Sequence, residues 1–105
     1  MNLHEDERRT LLDWGDSDIK WKTCKLVKAK QACELGNHFH KKKTERFLLV
    51  NGSCNYQLED SDPETMIEYE PLTVHPNTKH TFWLSQGSIL LCLCSESFDP
   101  KDDYV

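Results

Sequence analysis

From Asp18 onward, apolar and polar residues alternate along the chain. Ile19, Trp21 and Thr23 interleave with Lys20, Lys22 and Cys24, and Leu26, Val27 and Ala29 follow among further lysines. That two-residue period is the signature of strands with one basic outer face. Ala32–Glu34 and His38–His40 come next, then the long apolar stretch Glu45–Val50, which ends at Asn51-Gly52. Asn-Gly is a strong hairpin signal, and Cys54, Tyr56 and Leu58 alternate directly after it. Glu59-Asp60-Ser61-Asp62-Pro63 reads as a polar turn, and Met66-Ile67 with Tyr69 restarts a strand that yields to Pro71. Thr73-Val74, His80–Leu84 and Ile89–Ser95 complete the set, with turns at Pro76-Asn77 and Gln86-Gly87-Ser88. Short strands with no long helix between them predict an all-β sandwich or barrel. The N-terminal end differs. Leu3, Glu7, Thr10, Leu11 and Trp14 fall at helical spacing, with Gly15 as a stop. The expected organisation is a single domain over residues 1–105, with a short N-terminal helix or arm over 1–17, a barrel over 18–97 and an acidic surface tail over 98–105.

Composition narrows the class. At 105 residues, 37% hydrophobic and 30% charged, the chain supports one modest core. Its longest apolar run, Ile89–Cys94, is too short to cross a bilayer. The first residues carry neither a basic n-region nor an apolar h-region, so a cytoplasmic protein is expected. A net charge of −5 argues against duplex nucleic acid as a partner. Five cysteines, an odd number with no Cys-x-x-Cys, point to reduced thiols. Cys92 and Cys94 share one face of a strand and read as small buried apolar side chains.

Four of the five histidines crowd into two short stretches. In His38-Phe39-His40, residues two apart on an extended chain point the same way, so both imidazoles can enter one cavity. The turn Lys41–Thr44 then returns the chain, and Glu45 opens the next strand beside them. A Pro76-Asn77 turn delivers His80 to the start of another apolar strand, which a closed barrel can place opposite the first cluster. Three imidazoles and one carboxylate suit a borderline divalent transition metal (iron, manganese, nickel, zinc or copper), whereas a calcium site would need more oxygen ligands. Four protein ligands leave positions open for a substrate.

These residues resemble the cupin superfamily. His38-x-His40-x4-Glu45-x6-Gly52 is similar to the first cupin motif, and His75-Pro76-Asn77-Thr78-Lys79-His80 to the second, with Asn77 where a turn glycine is usual. The resemblance covers about residues 19–95. It implies a small cupin, or jelly-roll, barrel with metal bound by His38, His40, Glu45 and His80. Gly36 to Leu48 further resembles the cupin domains of capsular-polysaccharide sugar-nucleotide enzymes. The tail Ser95–Pro100, with Asp103-Tyr104, is similar to the ends of those domains and of sugar-nucleotide 3,4-ketoisomerases. The latter use a His-x-His pair as acid and base without a metal and generally lack the Glu45-type ligand.

The function this implies is a metal-binding cupin enzyme of carbohydrate or polysaccharide biosynthesis, acting on a sugar or sugar nucleotide by isomerase- or epimerase-type proton transfer. The alternatives are an iron-dependent dioxygenase of a small organic substrate and a non-catalytic ligand-binding or sensor cupin. Tyr56, alternating with Cys54 after the Asn51-Gly52 turn, would face the same side as Glu45 and, with His40, is the expected acid/base residue. Phe47, Leu49, Phe82 and Leu84 share parity with Glu45 and His80 and should pack beside the metal. Lys41, Lys42 and Lys43 offer a basic turn to an anionic substrate. Trp14, Trp21 and Trp83 read as core or dimer-interface anchors. A homodimer is expected, because a small barrel has strand edges to cover; no nucleic acid or membrane partner is expected.

Overall fold

The computed structural model describes residues 2–13 and 19–105. Among these residues ten strands form in order: β1 (Asn2–Glu5), β2 (Thr10–Asp13), β3 (Thr23–Lys28), β4 (Cys33–His38), β5 (Glu45–Asn51), β6 (Cys54–Leu58), β7 (Glu64–Thr65), β8 (Leu72–Val74), β9 (His80–Leu84) and β10 (Ile89–Cys94). Two antiparallel four-stranded sheets, β3-β10-β5-β8 and β4-β9-β6-β7, make the jelly roll. Among the described residues no helix is long and apolar enough to cross a membrane.

The core is the alternating inner face of both sheets. On β10, Leu90, Cys92 and Cys94 are buried while their neighbours are partly exposed. Phe47 and Leu49 of β5 meet Phe82 and Leu84 of β9, as their parity predicts, and the Phe47 and Phe82 ring centroids lie 4.3 Å apart across the sandwich. The Asn51-Gly52 turn stays tight because Gly52 has φ +96° and a Cβ there would stand 2.4 Å from Ser88 Oγ. Ser88 Oγ in turn receives the Ser53 amide at 3.0 Å.

Three sequence expectations are corrected. The N-terminal helix is instead the β1–β2 hairpin, which forms its own two-stranded sheet. Asp6 drives the reversal: its Oδ1 accepts the amides of Arg8 and Arg9 at 2.8 and 3.0 Å, and its own amide donates to the Arg9 carbonyl. Trp14 and Gly15 lie outside the described residues. The strand expected at Met66–Tyr69 is the two-residue β7 just before it, and Tyr69 takes φ 63° in the turn that follows. The tail is mostly exposed, as expected, but it is docked on the barrel. Phe39 and Tyr104 exchange backbone hydrogen bonds of 2.9 and 3.0 Å and stack their rings, and Asp102 is buried. Trp83 is no core anchor: it faces outward on β9, its Nε1 donating to Glu34. Trp21 lies against the Arg46 guanidinium.

Candidate functional site

The site lies where the two sheets part. β4 supplies His38 and β9 supplies His80, paired in register across that edge. The β4–β5 connection supplies His40, and β5, in the other sheet, supplies Glu45. His80 is thus the cross-strand neighbour of His38 rather than its opposite number, and Glu45 is the group that faces them. A bulge between Gly36 and His38 re-aims the end of β4, with Asn37 at φ 61°. Gly36 permits the close approach, since a Cβ there would lie 2.7 Å from the His80 carbonyl oxygen. Asn77 takes the left-handed φ of 65° that a turn glycine would, and its amide donates to the His40 carbonyl at 2.6 Å.

Each imidazole is held by its outer nitrogen. His40 Nδ1 donates to the Asp102 carbonyl, His80 Nδ1 donates to the Thr78 carbonyl at 3.0 Å, and His38 Nδ1 lies 3.0 Å from Asp103 Oδ1. A carbonyl or a carboxylate can only accept, so in the neutral form of each ring it is Nδ1 that carries the proton. Each Nε2 then presents a bare lone pair, and these nitrogens converge. His38 and His40 Nε2 are 3.1 Å apart, and all three lie within 4.8 Å of one another. Glu45 Oε1 joins them at 3.3 Å from His40 Nε2 and 3.4 Å from His80 Nε2. It is buried and has no hydrogen-bond donor.

Four acceptors facing one another without a donor is an arrangement that costs free energy unless a cation sits among them. Protonating His38 or His80 is a poor remedy. Burial, then the neighbouring His80 and His40, hold His38 below the ordinary imidazole range, against the pull of Asp103 and Glu45. Burial likewise lowers His80 against the Thr78 carbonyl and Glu45. The nitrogen-rich donor set and the outer hydrogen bonds fit a borderline divalent ion, because metal-bound histidines are oriented through their other ring nitrogen.

The four residues border a cavity of about 220 Å³. Lys43, buried at 7% exposure, also turns into it, its Nζ 3.9 Å from Glu45 Oε2. The rest of the basic turn is already engaged. The Lys41 and Lys42 amides donate to the Asp102 carboxylate at 2.9 and 3.2 Å, and Lys41 Nζ lies 4.3 Å over the Tyr104 ring. Burial works to raise the Asp102 carboxyl, but those two amides and His40 hold it below the usual carboxylate range.

His38, His40, Glu45 and His80 therefore come together and Tyr56 does not. Tyr56 keeps the expected face, yet it pairs in register with Phe82, two residues along β9 from His80. Its hydroxyl donates to Glu64 Oε2 at 2.6 Å, in a separate cleft. Sequence reasoning missed Asp102, Asp103 and the inward turn of Lys43. The signal within reach was the Asp103-Tyr104 similarity of the tail, together with the aromatic pair Phe39 and Tyr104.

The fold is shared with several solved structures. A double mutant of the QdtA 3,4-ketoisomerase from Thermoanaerobacterium thermosaccharolyticum, in complex with TDP, is 24% identical, with a TM-score of 0.81 over 97% of this chain and 80% of that one. A 3,4-ketoisomerase from Helicobacter canadensis is 21% identical, with a TM-score of 0.82 over 97% of this chain and 84% of that one. The capsular polysaccharide assembling protein CapF from Staphylococcus aureus is 19% identical, with a TM-score of 0.68 over 98% of this chain but only 31% of that longer one. At these identities the likeness establishes the fold. No curated protein matches the sequence. Family membership comes from the sequence itself, matched over residues 14–105: the chain belongs to the FdtA family, described as WxcM-like, C-terminal.

Proposed function

We propose that this chain is a sugar-nucleotide isomerase of the proton-transferring kind, a ketoisomerase or epimerase, working with one divalent transition metal held by His38, His40, Glu45 and His80. The observation that carries the metal is Glu45 Oε1, buried without a donor among three inward-facing Nε2 atoms. The substrate class is supported by the family and by relatives that are ketoisomerases, one of them bound to TDP. A metal bound there would supply Lewis-acid polarisation of a sugar oxygen. The chain's own part is to orient and to exclude water. Asp102, Thr78 and Asp103 fix the three rings through Nδ1, and Phe47 and Phe82 pack beside His80 to keep that wall apolar. Lys43 offers a cation to an anionic substrate oxygen inside the cavity.

A second reading rests on the His38–Asp103 pair. Asp103 holds the Nδ1–H of His38 and leaves Nε2 free to take a proton from the carbon beside a sugar carbonyl. The electron pair moves to form an enediolate. The proton taken by His38 passes to His40 Nε2, 3.1 Å away, and from there to the former carbonyl carbon, while the hydroxyl proton of the deprotonated carbon moves to the neighbouring oxygen and leaves the new carbonyl behind. The two readings part on one experiment: elemental analysis and turnover of nucleotide-linked keto sugars, for wild type beside His38→Ala/His40→Ala. About one equivalent of transition metal, with turnover lost on chelation and restored by metal, is the expected result. Turnover that survives chelation selects the acid/base pair, and no binding or turnover across the panel overturns the sugar-nucleotide assignment.

The same reading includes a homodimer. The β1–β2 hairpin exposes Leu3 and Leu11, and an isolated two-stranded hairpin is marginal in water. A monomeric mass in light scattering at micromolar concentration would overturn it.

A further inference from the structure

Glu45 has two oxygens in two different neighbourhoods. Oε1 faces the imidazoles, and Oε2 faces β10. There Cys92 Sγ lies 3.4 Å and Cys94 Sγ 3.8 Å from Oε2, and the two sulfurs are 3.7 Å apart. Strand alternation puts both thiols on the inner face, and the β10–β5 register sets Cys94 directly beside Glu45. All three residues are nearly sealed from solvent, at 5% exposure for Glu45, 3% for Cys92 and 1% for Cys94. Both cysteines are free.

We propose that Cys92, Cys94 and Glu45 Oε2 form a second metal site, one for a thiophilic divalent ion such as cadmium or zinc, which shares Glu45 with the imidazole cluster. The geometry is already close to that of an occupied site. A tetrahedral ion with metal–sulfur bonds of about 2.3 Å and metal–oxygen bonds of about 2.0 Å spaces its ligand atoms roughly 3.5–3.8 Å apart. The three observed separations fall on or near that range, so an ion can seat with small side-chain movements. The charges also balance. Two thiolates and one carboxylate are offset by the divalent ion and by the Lys43 ammonium 3.9 Å from Oε2, so the buried site carries no net charge. Binding sends the two thiol protons to solvent and changes no oxidation state. Cys92 borders the same cavity as the imidazoles, which gives an ion its way in and water to complete its shell. Two dications on one carboxylate repel each other, so filling either site weakens the other, and by linkage the weakening is mutual.

The site does not depend on whether the imidazole cluster binds metal, and the test keeps the two apart. Reduced, metal-stripped protein is titrated with cadmium ions alone. Thiolate-to-metal charge transfer is followed in the near ultraviolet, and bound cadmium is counted by elemental analysis. Wild type, His38→Ala/His40→Ala and Cys24→Ser/Cys33→Ser should all show the band. Cys92→Ser/Cys94→Ser should lose it together with one equivalent of cadmium, while its circular dichroism stays that of wild type. If serine hydroxyls disturb the core, Cys92→Ala/Cys94→Ala replaces that variant, with the same loss expected. A band that persists without Cys92 and Cys94, that disappears with Cys24 and Cys33, or that is missing from wild type overturns the proposal.

Discussion

Among the clefts of the described residues, two of nearly equal size invite comparison, about 220 Å³ at the imidazoles and about 210 Å³ beside Tyr56. Volume does not separate them; polar accounting does. In the Tyr56 cleft the one acidic proton already has its acceptor, at 2.6 Å on Glu64. That hydrogen bond to Glu64, with burial second, raises the phenol above its ordinary value. In the imidazole cavity, lone pairs meet lone pairs, and a buried carboxylate oxygen has no donor. A cleft whose polar groups satisfy one another is complete as it stands. One whose buried acceptors converge is short of a donor or a cation.

The sharpest way to break that contrast is Glu45→Gln. An amide supplies the missing donor, so the metal-free variant should unfold with a free energy about 1–3 kcal/mol above metal-free wild type in urea. Its affinity for a transition metal should fall by at least the roughly 10- to 100-fold that outer-shell changes alone produce. A Gln variant less stable than wild type with both metal-free would show that Oε1 is not destabilising. Asp102→Ala comes next, because it orphans the Lys41 and Lys42 amides and frees the carbonyl that holds His40. A cost of about 1–3 kcal/mol is expected in denaturant. Metal affinity should drop about 10- to 100-fold although no ligand is touched; unchanged affinity would separate the tail from the site.

Acid should distinguish the clefts more gently. His38 and His80 have folded values below the unfolded imidazole, so the unfolded chain binds more protons as pH falls. Their contribution to stability is complete above about pH 6.5 and is lost as pH drops through the depressed folded values. Denaturant midpoints of metal-free protein should therefore decline over that interval, and His80→Gln should flatten the decline. The smallest effect belongs to Tyr56→Phe: stability within about 0.5 kcal/mol of wild type and unaltered turnover. A large loss of turnover would return Tyr56 to the chemistry.

The four converging residues were legible because their determinants are local. His38 and His40 are two apart on extended chain, Glu45 opens the strand after one short turn, and Asn77 accepts the left-handed conformation its turn needs. Tyr56 shows where such reasoning stops. Parity names the face of a strand but not the end of the sheet, and the β6–β9 register sets Tyr56 beside Phe82 instead of His80. The N-terminal reading failed for a related reason. Helical spacing over Leu3–Leu11 is weak where Asp6 can close a turn on the two amides that follow it.

By itself the sequence determined the all-β class, the inner faces of the strands and the imidazoles and carboxylate at their spacing, since each follows from backbone period and turn chemistry within a few residues. Only the tertiary structure decided what surrounds them. The carbonyl holding His40 comes from Asp102, 62 residues downstream. The thiols beside Glu45 come from a strand 47 and 49 residues away. Such contacts depend on how two sheets close and a tail docks, and no local period carries that information.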